Sequence, residues 1–468
     1  MSEQSKKHAL MMGTIIYAIG TFGTKILSFL IVPLYTYYIA PSEMGDYDLL
    51  NTTISLLTPL VTLQISDGAY VWMMRNKDKT EDYITAVYKF VITTTLFAAF
   101  IIFIIDSIFG IPYATYFTLL LVTGRWFQTL QKLLRGLKNQ KLFAFSGVLY
   151  TTIFLILNLV QIVVLKMKVD ALFQSAIIAN AVCIGFVLIF EKRLRINKIK
   201  EKSIQTQIDM LRFSVPLIPN RLNWWIINSS GRYIVRIFLG SAANGIYAIA
   251  YKFPSLLQMI YNIFYESWQD MAVADNDEDV SGFYSSVFRK WYKLSFTFLL
   301  FIIPFTKVFI RLVMSDAYIS SADYISFLYL GTVFQAFSSF FGVGYLKNNK
   351  TFNAATTSIY GALVNIVINI ILINFIGLYA TSIATFVGFF VMFAVRIRQT
   401  RDTMKVKVNW LEFVLLFIMA LVIVIIGAFS NIRLDFVMTI LGLFLFVVLN
   451  LSELKLIVSI ILKKVKKK

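Results

Sequence analysis

Apolar runs of about 20 residues recur along almost the whole length of the chain, and this feature constrains the fold more than any other. Each run is long enough to cross roughly 30 Å of hydrocarbon as an α-helix. Of the 468 residues, 58% are hydrophobic and only 15% are charged, whereas soluble proteins carry about 25% charged residues. The sequence therefore predicts an all-α polytopic membrane protein with about 14 transmembrane helices, and it leaves no room for a soluble domain.

Cysteine and histidine are almost absent, with one of each at Cys183 and His8. This count excludes disulfides within the chain, Cys/His zinc sites and a histidine-based catalytic triad. The predicted outer loops are short, whereas a membrane polymerase or glycosyltransferase usually needs a larger loop with acid/base residues. We therefore expect no enzymatic activity, no metal site and no cofactor, and coupling to Na+ or H+ is an open alternative.

The formal net charge of +19 is large enough to suggest nucleic acid as a partner, but the position of the basic residues argues against it. Thirty of the 44 lysines and arginines fall in the tails and loops on the predicted side of the N-terminus, and five lie on the opposite side. Lys and Arg in short loops are retained in the cytoplasm. We predict a protein of the cell membrane with both termini cytoplasmic and no nucleic-acid partner.

An internal repeat predicts the architecture. The segment MGDYDLLNTTISLL from Met44 matches NGIYAIAYKFPSLL from Asn244 at five positions, each shifted by 200, and LKNQK from Leu137 returns as LKNNK from Leu346. Two matches in the same order favour two six-helix bundles related by a parallel repeat, with a cavity between them, plus two extra C-terminal helices. The predicted parts are an N-terminal lobe at 1–190, a basic cytoplasmic connector at 191–212, a C-terminal lobe at 213–395, and helices 13 and 14 with a basic tail at 396–468.

Polar side chains at helical spacing mark one face on each of four predicted helices, because positions three, four and seven apart lie on one side of a helix. Such faces are costly in lipid and favour a water-filled cavity. From them we take as polar and aromatic lining candidates Thr21, Ser55, Trp225, Asn228, Ser255, Asn262 and Glu266.

Nine basic residues lie within or at the ends of predicted helices rather than in loops. Four of them lie near helix ends, where long side chains can reach the headgroups. An intramembrane charge is by default a functional candidate. The five deeper residues, which we expect to line a cationic substrate-binding cavity, are Lys25, Arg125, Arg221, Arg232 and Lys252.

Two segments resemble the signatures of a known family. Residues 22–70, FGTKILSFLIVPLYTYYIAPSEMGDYDLLNTTISLLTPLVTLQISDGAY, are similar to the opening signature of Wzx-type polysaccharide flippases, and RYIVRIFLGSAANGIYAIAYKFPSLL at 232–257 resembles the signature of the family's second half. These flippases belong to the multidrug/oligosaccharidyl-lipid/polysaccharide (MOP) exporter superfamily, in its polysaccharide transporter family. Many members carry an acidic residue before the arginine that matches Arg232, where this chain has Gly231.

The resemblance implies a flippase that moves an undecaprenyl-diphosphate-linked oligosaccharide across the membrane by alternating access. Its expected partners are this lipid-linked oligosaccharide and membrane lipids, with a polysaccharide polymerase as a candidate. The main alternative is a cation-coupled multidrug or other lipid exporter of the same superfamily, which would favour acidic residues in the cavity. A membrane polysaccharide polymerase or glycosyltransferase is the alternative from another class.

Overall fold

The computed structural model describes residues 29–195, 203–274, 281–347, 351–453 and 455. Within these ranges the chain is helical and has no β-strand, which confirms the all-α class. By its contacts the chain divides into two compact units, one that ends at Trp225 and one that begins at Ile226. The lobe boundaries, the internal repeat and the exact count of 14 spans stay predictions.

The N-terminal unit is built from helices whose ends follow local sequence signals. Pro41 occupies the first turn of α2, where its missing N–H costs nothing, and the Asn139 side chain caps α6 by accepting a hydrogen bond from the Leu142 N–H at 3.2 Å. Gly110, at φ 59°, ends α4 in the left-handed region. The helices of this unit are α1 Val32–Tyr38, α2 Pro41–Thr62, α3 Ile65–Arg75, α4 Thr80–Phe109, α5 Ala114–Gly136, α6 Gln140–Leu159, α7 Asp170–Phe190 and α8 Ser203–Ser214.

The connector between the predicted lobes ends in a helix that is part of the N-terminal core. Helix α8 packs against α3 and α4, and Met210 is fully buried in an apolar cluster with Ile65, Val87 and Leu133. The approach is close, since a Cβ added at Gly68 would lie 2.8 Å from the Met210 carbonyl oxygen. This packing anchors α3, whose position matters for the site described below.

The C-terminal unit begins within a long helical segment. Helix α9 is interrupted at Gly240, whose φ of 87° and ψ of 178° are not helical; the sequence predicts separate helices on either side of this residue. Glycine adopts such a conformation at little steric cost. The helices are α9 Ile218–Ala274, α10 Ser281–Val313, α11 Ser321–Lys347, α12 Thr351–Ile376, α13 Leu378–Gln399, α14 Arg401–Met404, α15 Trp410–Phe429 and α16 Ile432–Leu449.

An aromatic core joins α10, α11 and α15. Phe296 packs edge to face on Phe337 and on Phe413, with ring centroids 5.4 Å and 5.3 Å apart, and Phe288 and Phe334 contact the same Phe337 ring. Such edge-to-face pairs stabilise beyond simple area burial. Helix α15 is therefore an integral part of the C-terminal unit.

Ten helical segments among the described residues are long and apolar enough to cross a membrane, or 11 if the bent pair α2 and α3 is one span. One of the ten, residues 204–269, contains both predicted helices around Gly240. Helix α5 is not among them, and its 23 residues include Arg125, Lys132 and Arg135. Apolar side chains on the outside of α4 and α15, such as Phe109 at 75% and Phe429 at 88% exposure, fit contact with hydrocarbon. The chain is a multi-pass membrane protein.

A buried ionic cluster ties α10 to the turn between α15 and α16. Lys307 is fully buried and donates a hydrogen bond to the carbonyl of Gly427. One turn later, Arg311 contacts Asp435, which is also fully buried, and approaches Asp323 at 3.5 Å. The sequence pattern counted Lys307 and Arg311 among the outer-side charges, whereas here both side chains hold helices together.

Arg396 was likewise counted among cytoplasmic-side charges, but it lies inside α13 at 4% exposure. Its guanidinium donates to the Ser338 carbonyl on α11 at 2.9 Å and to the Thr357 and Ser358 hydroxyls on α12, both at 3.0 Å. A planar group with five donors can bridge three helices in this way. We assign Arg396 a structural role.

Candidate functional site

The N-terminal unit contains an open cavity of about 750 Å³, which we call the N-unit cavity. It is lined by one face of α2, the junction of α2 and α3, one face of α5, and the first turns of α9. The lining residues are Asn51, Ile54, Ser55, Thr58, Pro59, Thr62, Gln64, Ser66, Asp67, Arg125, Gln128, Thr129, Lys132, Arg221, Trp224 and Trp225.

Helix α2 contributes most of the polar stripe that its sequence predicts at Asp48, Asn51, Ser55, Thr58 and Thr62. All of these residues except Asp48 line the cavity. The Thr58 and Thr62 hydroxyls donate to carbonyls one turn earlier in their own helix, at 2.5 Å and 2.8 Å. The Thr62 oxygen also accepts from the Gln64 N–H at 3.3 Å, and the Thr58 oxygen retains acceptor capacity of the kind that a sugar hydroxyl can use.

Trp225 is fixed against α2 by its indole N–H. This group lies 2.9 Å from the Ser55 hydroxyl and 3.1 Å from the Thr52 carbonyl. The neighbouring Trp224 also lines the cavity. Two indole rings therefore border the cavity, and hydrogen bonds hold that of Trp225. A sugar face can pack on an aromatic ring of this kind.

Helix α5 brings a buried arginine to the cavity. Arg125 is 7% exposed, and its Nη1 donates to the Gln128 side-chain oxygen at 2.7 Å. Within the part of the chain that the structure describes, Arg125 makes no ion pair, and its Nε has no hydrogen-bond acceptor. A buried guanidinium with spare donors is costly in isolation and is well suited to an anionic ligand.

The remaining charges of the N-unit cavity are Lys132, Asp67 and Arg221. Lys132 of α5 forms an ion pair with Asp67 in the first turn of α3, so these two charges neutralise each other. Arg221 has an exposed side chain at the start of α9 and makes no ion pair with any described residue. The described part of the lining therefore carries an excess of two positive charges, and both come from arginines.

A break in the helix separates α2 from α3 in the cavity wall. We call Leu63 and Gln64 the helix break. Both residues adopt left-handed backbone angles, with φ of 43° and 53°, and the axes of α2 and α3 differ by 55°. Only glycine, and to a lesser degree Asn and Asp, visits this region readily. The break turns the first residues of α3 toward α5, where the Ser66 and Thr129 hydroxyls lie 3.4 Å apart.

Two of the predicted site residues in the C-terminal unit form a hydrogen-bonded cluster. Arg232 is 8% exposed, donates to the Asn228 carbonyl at 3.1 Å, and places its guanidinium carbon 4.7 Å from the centre of the Tyr251 ring. The Asn228 side-chain oxygen in turn accepts from Tyr251 and, at 3.4 Å, from Gln335. Arg232 is thus held by neighbours in its own unit.

The other predicted residues of this unit are more exposed or border very little space. Lys252 and Glu266 have exposed side chains, and the Ser255 hydroxyl donates to the Lys252 carbonyl at 2.6 Å. Asn262 borders a pocket of about 10 Å³, which is room for about one water molecule. A substrate does not fit in that pocket. The two remaining candidates, Thr21 and Lys25, lie outside the described residues.

Gly231 occupies a position that has no room for the acidic side chain common in the family it resembles. A Cβ at this position would lie 2.7 Å from the Thr381 methyl carbon and 3.4 Å from the Asn369 side-chain nitrogen. Thr381 also donates to Asn369 at 3.0 Å. The space is filled, so an ion-pair role at this position does not carry over to this chain.

Sequence reasoning did not select several residues that line the N-unit cavity. Gln128, Thr129 and Lys132 lie three, four and seven positions after the selected Arg125 on α5, and this pattern was available in the sequence. Lys132 was instead assigned to a loop, because charge counting places basic residues near helix ends there. No sequence pattern indicates that Gln64 lines the cavity, since its position there depends on the helix break.

Comparisons with known proteins agree with this fold. The family model described as polysaccharide biosynthesis protein matches residues 10–268, more than half of the chain. An uncharacterized membrane protein of Methanocaldococcus jannaschii, MJ1068, is 29% identical over 174 residues, which is 34% of this chain and 34% of that protein. The match therefore spans about a third of the length of this curated relative.

Two solved transporters share the fold. The lipid II flippase MurJ, in an inward closed conformation, has a TM-score of 0.71 at 12% identity and covers 95% of this chain and 100% of its own. A multidrug resistance MATE family transporter of the MOP superfamily, in an inward-facing conformation, has a TM-score of 0.65 at 14% identity and covers 81% of this chain and 96% of its own. The chain therefore belongs to the polysaccharide biosynthesis protein family, and it has the fold of the MOP-superfamily transporters.

Proposed function

We propose that the protein is a flippase that translocates an undecaprenyl-diphosphate-linked oligosaccharide across the cytoplasmic membrane for surface polysaccharide biosynthesis. The observation that carries this proposal is the charge of the N-unit cavity: two arginines without ion pairs among the described residues, and one acid already paired with a lysine. A diphosphate is anionic and meets a high cost in the membrane interior. Arginine offsets that cost best, because its planar fork binds phosphate oxygens in pairs.

The size of the cavity supports a headgroup rather than a whole lipid as its occupant. A volume of about 750 Å³ falls within the range of roughly 300 to 1,000 Å³ that is usual for small-molecule sites. In our proposal the diphosphate lies near Arg125 and Arg221, and the first sugars pack on Trp224 and Trp225. The isoprenoid tail stays in the surrounding hydrocarbon, and alternating access moves the headgroup between leaflets.

The alternative of cation-coupled multidrug export is less well supported by the same lining. A site for cationic drugs favours unpaired carboxylates, and Asp67, the one acid among the described residues that line the N-unit cavity, is paired with Lys132. For an enzymatic alternative, no described group of three or more His, Cys, Asp or Glu side chains is placed to hold a metal. Coupling to Na+ or H+ and contact with a polysaccharide polymerase remain predictions from the sequence.

The proposal can be tested in proteoliposomes that contain the purified protein and a fluorescent undecaprenyl-diphosphate-linked oligosaccharide. We expect protein-dependent transfer of the lipid to the opposite leaflet, measured by its accessibility to a membrane-impermeant quencher. Two matched controls are a lipid with the same oligosaccharide on a neutral undecaprenyl linker and a cationic dye. Equal transfer of the neutral lipid, or transfer of the dye alone, contradicts the proposal.

The orientation can be tested with single cysteines in the first turn of α6 and in the segment that joins α6 to α7. Lys141 and Lys168 both have exposed side chains, and Cys183 is fully buried, so a Cys183→Ser background leaves one reactive thiol. We expect an impermeant maleimide to label Lys168→Cys in intact cells and Lys141→Cys only after permeabilisation, because the charge distribution places residue 141 in the cytoplasm. The reverse pattern overturns the proposed orientation.

A further inference from the structure

The helix break in the wall of the N-unit cavity has its carbonyl groups occupied. The Leu63 carbonyl accepts a hydrogen bond from the Ser214 hydroxyl of α8 at 2.8 Å. The Gln64 carbonyl accepts from the Asp67 N–H at 2.8 Å and from the Gly68 N–H at 3.4 Å. Both break residues thus have their acceptors satisfied, so the break offers little to a cation.

The backbone N–H groups that follow the helix break differ from these carbonyls. The N–H groups of Ile65 and Ser66 belong to the first turn of α3, and first-turn amides have no acceptor within their own helix. Gln64 occupies the N-cap position, and its side chain makes no capping hydrogen bond. The N-terminus of this 11-residue helix also carries the positive end of the helix dipole.

The Gln64 side chain carries a buried hydrogen-bond donor without an acceptor among the described residues. It is 7% exposed and lines the N-unit cavity, yet its Nε2 has no hydrogen-bond acceptor within the part of the chain that the structure describes. A buried amide donor without an acceptor is unfavourable, and such groups in proteins are almost always satisfied. An occupant of the cavity that supplies oxygen acceptors would satisfy it.

Arg125 lies on the same side of the cavity. The Ser66 hydroxyl of α3 is 3.4 Å from the Thr129 hydroxyl of α5, and Arg125 lies one turn before Thr129 on the same face. The Nε of Arg125, like the Nε2 of Gln64, has no acceptor among the described residues. Two buried, unsatisfied donors and the start of α3 therefore border one stretch of the cavity wall.

We infer that the helix break is the subsite for a phosphoryl group of the diphosphate headgroup, bound by the Gln64 side-chain amide, the Arg125 guanidinium and the first-turn amides of α3. This inference rests on the proposed function and assigns the diphosphate of the proposed substrate to the helix break. The Gln64 Nε2, the Arg125 guanidinium and the first-turn amides are donors at the positive end of a helix, and such donors favour an anion over a cation and over a neutral alcohol. Arg221 then contacts the rest of the headgroup.

The test is a binding measurement on the purified full-length protein in detergent. The probe is geranylgeranyl diphosphate, with geranylgeraniol as the neutral probe and inorganic pyrophosphate as a competitor. We compare Gln64→Glu, which places an anion at the subsite, with Gln64→Met, which removes the donors at similar size. Gln140→Glu is the matched charge control, because Gln140 is exposed and is not part of the cavity lining.

We expect Gln64→Glu to weaken binding of geranylgeranyl diphosphate about tenfold or more, and Gln64→Met to weaken it about threefold to tenfold. Gln140→Glu should bind as the unaltered protein does. Displacement of the lipid probe by pyrophosphate, with the same sensitivity to Gln64→Glu, supports recognition of the diphosphate itself. Thermal unfolding and size-exclusion profiles identify any variant that fails to fold.

The outcomes separate the subsite from the proposed function. If both Gln64 variants bind the diphosphate normally while Arg221→Ala binds it weakly, the subsite is wrong and the flippase proposal stands. If Gln64→Glu binds the diphosphate more tightly, the break does not hold an anion and the subsite is again wrong. If the unaltered protein does not prefer the diphosphate to geranylgeraniol, the proposed function itself fails.

Discussion

Replacing Arg125 and Arg221 together by alanine is expected to abolish transport of the lipid-linked oligosaccharide while the protein still inserts into the membrane. These two residues account for the excess positive charge of the N-unit cavity. A hydrogen bond to a charged group contributes about 1.5 to 3 kcal/mol. Loss of both arginines should therefore reduce headgroup binding by a factor of about a hundred or more.

The same variant should be no less stable than the unaltered protein. Arg125 is buried and makes no ion pair with any described residue, so its uncompensated charge opposes folding. Functional sites commonly retain such destabilising groups. We expect Arg125→Ala alone to keep or raise the thermal unfolding temperature and to lower transport, a combination that a purely structural role does not produce.

The measurement is complementation of a flippase-deficient strain that makes the cognate glycan, with surface polysaccharide and membrane protein abundance quantified together. Arg221→Lys should retain more activity than Arg221→Ala, because it keeps the charge and loses only the fork. Lys141→Ala, an exposed basic residue away from the cavity, is the control for net charge. Full complementation by the double variant at normal abundance would show that the arginines do not bind the substrate.

The polar face of α2 could be predicted from the sequence because it depends only on helical spacing. Asp48, Asn51, Ser55, Thr58 and Thr62 fall on one face of any regular helix, and all of them except Asp48 lie in the wall of the N-unit cavity. Sequence spacing also places Arg125 and Lys132 on one face of α5, because they are seven positions apart. What it does not give is the partner of each charge, since the Asp67 that neutralises Lys132 lies 65 residues away.

The helix break could not be predicted because the residues that form it are not those that usually adopt left-handed angles. Leu63 and Gln64 have φ of 43° and 53°, and neither is Gly, Asn or Asp, the residues that favour this region. Tertiary contacts hold the conformation, above all the Ser214 hydroxyl that donates to the Leu63 carbonyl. A contact over 151 residues leaves no local signal.

Charge counting failed at Lys307 for a related reason. A lysine near the predicted end of a helix looks like a loop residue, and the positive-inside rule treats it as one. In the fold, its acceptor is the Gly427 carbonyl, and the neighbouring Asp435 lies on another helix. Burial of a charge is a property of the assembled helices, and the sequence of one helix does not reveal it.

Asp435→Asn is the substitution for which we expect the largest loss of stability. Asp435 is fully buried, contacts Arg311 and accepts a hydrogen bond from Ser430 at 2.5 Å. Removing its charge leaves the largely buried Arg311 with the 3.5 Å contact to Asp323 as its one remaining ion pair among the described residues. The fully buried Lys307 then has a neutral amide nearby in place of the carboxylate. Breaking a buried ion pair by removing one partner typically costs about 3 to 5 kcal/mol, because the other charge stays buried.

Asp323→Asn is the matched control, since Asp323 contacts the same Arg311 but its side chain is 37% exposed. A partly exposed pair contributes about 0 to 1 kcal/mol, so Asp323→Asn should lower the thermal unfolding temperature far less than Asp435→Asn. Adding Lys307→Met to Asp435→Asn should recover part of the loss, because it removes the buried cation that Asp435→Asn leaves uncompensated. Equal destabilisation by the two Asn variants, or no recovery in the double variant, would mean that this cluster is hydrated and that α15 and α16 are held to α10 by apolar packing alone.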